Sequence, residues 1–260
     1  MEAFVATSKL RDKNLILKRL YKDYVRHVEE IFLIEEGNMW GSVSVYVDKS
    51  QSPQDFLIIR RFLHQGNENV SAYMVAEDQS SIKEFSEILK LKSGCHMHLQ
   101  TSIELQPTLM RTMGWLKNSY TVRYCRADSE TFKPYRSDNE GLVRLTPDNI
   151  KKYQTLHSPH LIKRAETAPI YAFINEKGDV AATSGVGFLT KKSFSISFTE
   201  TSPQYRNRGL AKCLTSLASE PLIDRGLVGV YCADIKNEPS LRVAHALGFV
   251  PYIDMICLLN

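Results

Sequence analysis

The chain has 260 residues, 43% of them hydrophobic and 24% charged, with a net charge of +4. It is long enough for two ordinary domains, and no apolar run reaches the length of a membrane-spanning helix, so partners in a membrane are not expected. The mild basicity, with a pI near 8.7, suits a small polyanionic ligand, and the lack of Lys/Arg clusters interleaved with aromatics argues against nucleic acid.

In chain order, Leu15, Ile16, Leu20 and Tyr24 repeat at helical spacing, which predicts a first structural helix rather than a transit peptide. Strand-like runs follow at 30–35, 42–48, 56–62 and 70–76. A helix is expected over 81–92, with Ser80, Ser81 and Glu84 resembling a capping box. A strand at 96–101, a short helix at 107–113 and a strand at 119–126 complete a first domain, residues 1–127. His96 and His98 share one face of their strand beside Cys95, but further ligands are not evident and no metal is expected. Trp40 and Trp115 read as core or interdomain anchors. The five cysteines, Cys95, Cys125, Cys213, Cys232 and Cys257, are odd in number and far apart. They predict buried thiols in a reducing, intracellular compartment.

Residues 128–141 are polar and aperiodic and contain Pro134, so they read as a linker. A second domain, 142–260, restarts with a strand at 142–145, and Thr146-Pro147-Asp148 is expected to open a helix. Asn175-Glu176-Lys177-Gly178 is a turn between two hairpin strands. An alternating strand at 194–199 follows, with Phe194, Ile196 and Phe198 on one face and Ser193, Ser195, Ser197 and Thr199 on the other. Then come a helix over 210–224, a strand at 228–234, a helix over 239–247 and a last strand at 249–259. Cys213 and Cys232 read as packing residues.

The most informative stretch is Tyr205-Arg206-Asn207-Arg208-Gly209-Leu210-Ala211-Lys212. A strand, a tight turn and a helix N-terminus gather unpaired N–H groups and the positive end of a helix dipole at one place. Gly209 allows close backbone approach and Ala211 does not obstruct it. This turn is expected to hold a phosphate or pyrophosphate, with Arg206, Arg208 and Lys212 adding positive charge.

Arg206-x-x-Gly209-x-Ala211 after a strand, followed by Asn237-Glu238-Pro239-Ser240-Leu241 and Leu247-Gly248-Phe249, resembles the GNAT acyltransferase superfamily. A further likeness to the glycine N-acyltransferase-like family lies in Gly37-Asn38, Val47-Asp48-Lys49, Pro53-x-Asp55-Phe56 and Tyr205 to Leu210. The resemblance implies an α/β protein with a mixed sheet, built of two GNAT-like domains of which the N-terminal one is degenerate. It also implies acyl-CoA as co-substrate, a small amine such as glycine or another amino acid as acceptor, and a mitochondrial location, whereas the lack of a convincing presequence favours a cytoplasmic one. A protein or peptide N-acetyltransferase and a non-catalytic acyl-CoA-binding protein stay open as alternatives.

In such a protein Arg206, Asn207, Arg208, Gly209, Leu210 and Ala211 would cradle the pyrophosphate. Thr199, Glu200 and Thr201 would pair with the pantetheine arm through backbone atoms, and Asn237 would meet it from the next strand. The family's Glu base falls on Ser195 and its usual leaving-group Tyr on Ala244, so neither familiar proton-handling side chain is present. His157 and His160, after the first helix of the second domain, are alternative bases.

Overall fold

The structure, a computed structural model, describes residues 4–7, 10–36, 41–48, 54–64, 67–76, 79–90, 96–116, 118–138, 140–153 and 159–259. The chain divides into two compact units, residues 1–122 with 254–260, and residues 123–253.

The first unit contains β1 (Phe4–Thr7), α1 (Leu10–Leu20), α2 (Val28–Glu36), β2 (Ser42–Asp48), β3 (Phe56–His64), β4 (Asn67–Val75), α3 (Gln79–Lys90), β5 (His96–Ser102) and α4 (Gln106–Thr112), and its last part is the start of β6 (Asn118–Ala127). Its strands run in the order β1-β2-β3-β4-β5, and the outer part of β12 (Val250–Leu259) follows β5. Met255 to Leu259 pair antiparallel with Ser102 to His98 of β5. An expected boundary at 128–141 had assigned that last strand to the second domain. In the structure Ile256 and Leu258 are 1% and 0% exposed within a cluster that includes Leu57, Phe85, Leu99 and Leu109. Trp115 packs against the same cluster.

The run at 30–35 is not a strand but the middle of α2. Val28, Ile31, Phe32, Leu33 and Ile34 are all buried along this helix. A short apolar run that is covered nearly all round carries no helical periodicity, so spacing cannot tell it from a buried strand. The α3 helix begins two residues earlier than its expected cap, which leaves Ser80 and Ser81 inside it. The residues Gly37, Asn38, Trp40, Lys49, Pro53, Cys95 and His157 lie outside the described residues. So do the side chains of His96, His98 and His160. Among the described residues no group of three or more His, Cys, Asp or Glu could hold a metal ion. No helix there is long and apolar enough to cross a membrane.

The second unit contains the end of β6, β7 (Leu142–Arg144), α5 (Pro159–Thr167), β8 (Ile170–Ile174), β9 (Val180–Leu189), β10 (Ser193–Thr201), α6 (Leu210–Ile223), β11 (Val228–Asp234), α7 (Glu238–Ala246) and the start of β12. Its strand order is β6-β11-β10-β9-β8-β7. The β7–β8, β8–β9 and β9–β10 pairs are antiparallel, and β10–β11 is parallel. One cluster joins Ala218, Leu222 and Ile223 of α6 to Phe194, Ile196, Tyr231, Ala244 and Phe249. Another joins Leu145, Ile150, Ala165 and Ile170, with Phe198 packed against it.

Two expectations are corrected here. Thr146-Pro147-Asp148 leads only into a short 3-10 turn, Ile150–Lys152. Thr146 and Asn149 cap each other, Thr146 N donating to Asn149 Oδ1 at 2.8 Å and Asn149 N to Thr146 Oγ1 at 3.3 Å, and such local bonds compete with a helix. The described residues of the segment 128–141 form no helix or strand, but the segment is not a free linker. Lys133 N donates to Leu247 O at 2.9 Å, Tyr135 N donates to Ser216 Oγ at 2.8 Å, and Phe132 meets Phe249 edge-on.

Candidate active site

β10 and β11 begin side by side and then part. Their parallel pairing runs from Ser193↔Val228 to Ile196↔Tyr231 and stops, although β10 continues to Thr201 and β11 to Asp234. The corresponding parallel pair in the first unit, β4 and β5, stays together from Asn69↔His96 to Tyr73↔Gln100, and Thr101 Oγ1 then bonds Met74 O at 2.7 Å across the strands. Among the described residues, the β10/β11 pair of the second unit therefore opens a wedge that the β4/β5 pair does not.

A bulge in β10 sets what faces that wedge. Ile196 pairs with Val186 and Phe198 with Gly185, with register shifts between Ser195 and Ile196 and between Ile196 and Phe198. An extra residue inverts the alternation beyond it. Phe198 therefore lies with Leu145, Ile150 and Ala165, not with Phe194 and Ile196 as strict alternation predicted. Thr199 instead meets Ser184 Oγ at 3.0 Å and Thr215 Oγ1 of α6 at 3.4 Å. The four hydroxyls do not share one environment: Ser193 and Ser195 are 0% and 1% exposed, whereas Ser197 is exposed.

Where the strands part, a cleft of about 1010 Å³ opens. Thr199, Glu200, Thr201, Arg206, Asn207, Gly209, Leu210, Ala211 and Asn237 all line it. Nine of the sequence-derived candidates are thus brought together. Arg208 and Ser195 are not among its lining residues. Arg208 lies over the Tyr205 ring, 5.0 Å from its centroid, and Nη2 donates to Gln204 O at 3.4 Å. Ser195 is sealed in the sheet, and Ala244, at the family's tyrosine position, is 0% exposed. His160 lies in α5.

The turn itself is built by backbone conformation. Asn207 at φ 62° and Gly209 at φ 75° are left-handed, and α6 starts directly after them. The N–H groups of Leu210, Ala211 and Lys212 have no partners inside the helix, and the dipole adds positive potential there. Tyr205 anchors the turn to the 175–178 hairpin by accepting from Asn175 Nδ2 at 3.1 Å, and it packs on Phe173. Arg206 Nε donates to Thr201 O at 3.2 Å, and Lys212 Nζ sits 3.7 Å over the Tyr135 ring. These contacts hold both side chains beside the cleft, Lys212 half-buried and Arg206 still exposed. Thr201 Oγ1 is buried without a hydrogen-bond partner, which carries a desolvation cost.

On the other wall, Asn237 caps α7, its Oδ1 accepting from Ser240 N at 3.3 Å. Sequence reasoning missed Tyr231, whose hydroxyl lies 3.0 Å from Ser240 Oγ inside the cleft wall. An apolar strand with one tyrosine gives no local sign of this, because the cleft exists only where the strands diverge. Burial pushes the Tyr231 hydroxyl up from its usual range, against the smaller opposing effects of hydrogen bonds with Ser240 and Thr199. The folded state thus retains a proton that an unfolded tyrosine releases near pH ~10. The stability this contributes is complete below that pH and is lost as pH climbs through the folded value. Tyr231→Phe is expected to flatten part of the alkaline fall in melting temperature above pH ~10. Tyr73, raised mainly by burial and also by Glu29, accounts for another part. An alkaline limb of unchanged slope in a scanning-calorimetry pH series would contradict the burial of Tyr231.

No protein-family model and no curated protein matches the sequence. Solved structures do match in shape. A GCN5-related N-acetyltransferase-like protein from Streptococcus suis superposes with a TM-score of 0.68 at 16% identity, over 97% of this chain and 100% of that one. A tandem GNAT protein from the clavulanic acid biosynthesis pathway gives 0.68 at 12% identity, over 99% and 97%. A Drosophila protein gives 0.70 at 10% identity, over 100% and 99%. The chain has the mixed α/β fold of the GNAT acetyltransferases, in the two-domain form that the tandem protein also has.

Proposed function

We propose that the second unit binds an acyl-CoA in the β10/β11 wedge and transfers its acyl group to the amine of a small acceptor. The observation that carries this reading is the early end of the parallel pairing at Ile196↔Tyr231, with the left-handed turn and free helix N-terminus of 206–211 at the mouth of the gap. A pyrophosphate needs several convergent N–H donors and positive potential, and the turn has both. The unpaired inner edge of β10 at Thr199, Glu200 and Thr201 matches an amide-bearing arm, which would pair with it like a strand.

The reaction needs a neutral amine, a donor for the carbonyl oxygen and a proton for the departing thiolate. Backbone N–H groups of the exposed β10 edge supply the second. Buried Ser195 and Ala244 are poorly suited to the proton steps, which leaves ordered water or His160 to take the amine's proton. Glycine or another amino acid is the acceptor that the glycine N-acyltransferase-like resemblance favours. The sealed Ser195 and the missing tyrosine at Ala244 equally favour a second reading, a non-catalytic acyl-CoA-binding protein.

Incubation with acetyl-, butyryl- and benzoyl-CoA and a panel of free amino acids, following free thiol, tests both. Thiol release that depends on the acceptor is expected. Measurable CoA binding with release no faster than hydrolysis would reduce the protein to a binder. Transfer to peptides alone would redirect the acceptor to a protein chain end, and absence of any CoA binding would sink the proposal.

A further inference from the structure

We infer that Tyr231 closes the inner end of the cleft and restricts it to thioesters with short acyl chains, a reading that rests on the acyl-CoA site proposed above. The two ends of the cleft differ chemically. The anion cradle lies at the open end, at the start of α6. The inner end is the convergence of β10 and β11 at Ile196↔Tyr231. Between Thr201 and Ile196 the strand rises roughly 16 Å, at about 3.3 Å per residue. A thioester whose phosphates sit at the open end carries its acyl group at the opposite end of its arm, and the arm follows the strand toward the convergence.

There the acyl group meets Tyr231, which lines the cleft although only 2% of its surface is exposed. The ring is tied at both ends, by its backbone in the sheet and by the bond from its hydroxyl to Ser240 Oγ at 3.0 Å. It cannot swing aside without breaking that partly buried bond. Behind it stands Phe249, 5.8 Å between ring centroids and tilted by 63°. The space two residues upstream is also full, since a Cβ added to Gly229 would lie 2.8 Å from Phe194 Cζ and 3.1 Å from Phe249 Cε1. A packed wall of this kind accepts an acetyl-sized group and resists each added methylene.

Calorimetric titration of the wild-type protein with free CoA, acetyl-, hexanoyl- and decanoyl-CoA tests this. Acetyl-CoA is expected to bind at least about tenfold more tightly than decanoyl-CoA, the size of discrimination a rigid apolar wall provides. In Tyr231→Ala the decanoyl-to-acetyl affinity ratio is expected to rise by tenfold or more, while Tyr231→Phe, which keeps the ring but loses its tie to Ser240, is expected to raise the ratio by less than Tyr231→Ala does. Equal wild-type affinity for acetyl- and decanoyl-CoA, or an unaltered ratio in a folded Tyr231→Ala protein, would overturn the inference. If that variant melts below the assay temperature, Tyr231→Leu replaces it, and the wild-type series decides by itself. Failure to bind even free CoA is a separate outcome, which removes the acyl-CoA site and this inference with it.

Discussion

Gly209→Glu is expected to weaken acyl-CoA binding by at least about 100-fold while leaving a folded protein. The position is left-handed at φ 75°, and a Cβ there would lie 2.8 Å from Tyr135 Oη. Left-handed backbone costs a non-glycine residue roughly 1–2 kcal/mol, and the Tyr135 ring that supports Lys212 has to shift. The larger effect is electrostatic. A carboxylate at the mouth of the cradle competes for the same N–H groups and repels the pyrophosphate, and hydrogen bonds to charged groups are each worth about 1.5–3 kcal/mol. Loss of two of them covers the expected drop in affinity. The same carboxylate is favourable to the start of α6 because it complements the dipole, so the fold survives. Titration with acetyl-CoA, paired with a thermal melt, checks the prediction. Gly209→Ala separates the two causes, since it carries the backbone cost without the charge and should bind more tightly than Gly209→Glu. Undiminished affinity in a folded Gly209→Glu protein would place the anion site elsewhere.

Gly248→Ala is expected to destabilise the second unit by about 3–5 kcal/mol, among the largest effects a single substitution produces. Gly248 follows α7 at φ 81°, and its Cβ would lie 1.9 Å from Thr131 O, 2.8 Å from Thr131 C and 3.2 Å from Lys133 N. These are backbone atoms, so no side chain can rotate out of the way. Lys133 N is bonded to Leu247 O, and Gly248 N and Phe249 N bond back to His245 O and Ala244 O, each at 3.0 Å. Displacing residues 131–133 would break that stitching and loosen Phe132 from Phe249. A fall of roughly 10 °C or more in melting temperature is expected. Gly178→Ala is the control. It shares a positive φ, 83°, but a Cβ there would meet nothing within 4 Å, so it should cost only about 1–2 kcal/mol. Equal losses in the two variants would mean that backbone strain, not the close approach, makes Gly248 necessary.

Much of the second unit was legible because its signals are local. Gly209 and Ala211 mark a turn into a helix, Asn175 to Gly178 a hairpin, and Asn237-Glu238-Pro239 a cap with proline in the first turn, and each depends on a few neighbouring residues. The first unit was less legible at α2. Its sequence, VEEIFLIEE, has apolar residues on every side because the helix is buried, and burial erases the periodicity that distinguishes helix from strand. The segment 128–141 misled for the opposite reason. It looks like a linker by composition, yet it forms the backbone wall against which Gly248 fits.

By itself the sequence determined the position of the turn at 206–211, the order of strand, turn, helix, strand and helix around it, and the absence of a glutamate and a tyrosine at Ser195 and Ala244. It could do so because capping, glycine conformation and helix polarity act over one or two turns of chain. Only the tertiary structure decided that β10 parts from β11 after Ile196, that a bulge turns Thr199 toward α6 and leaves Ser195 sealed, and that Tyr231 stands at the inner end of the cleft with Ser240 holding its hydroxyl. It also decided that the last strand, from Asp254 onward, joins the first unit. Those features follow from pairing and packing between residues distant in sequence, which no local pattern encodes.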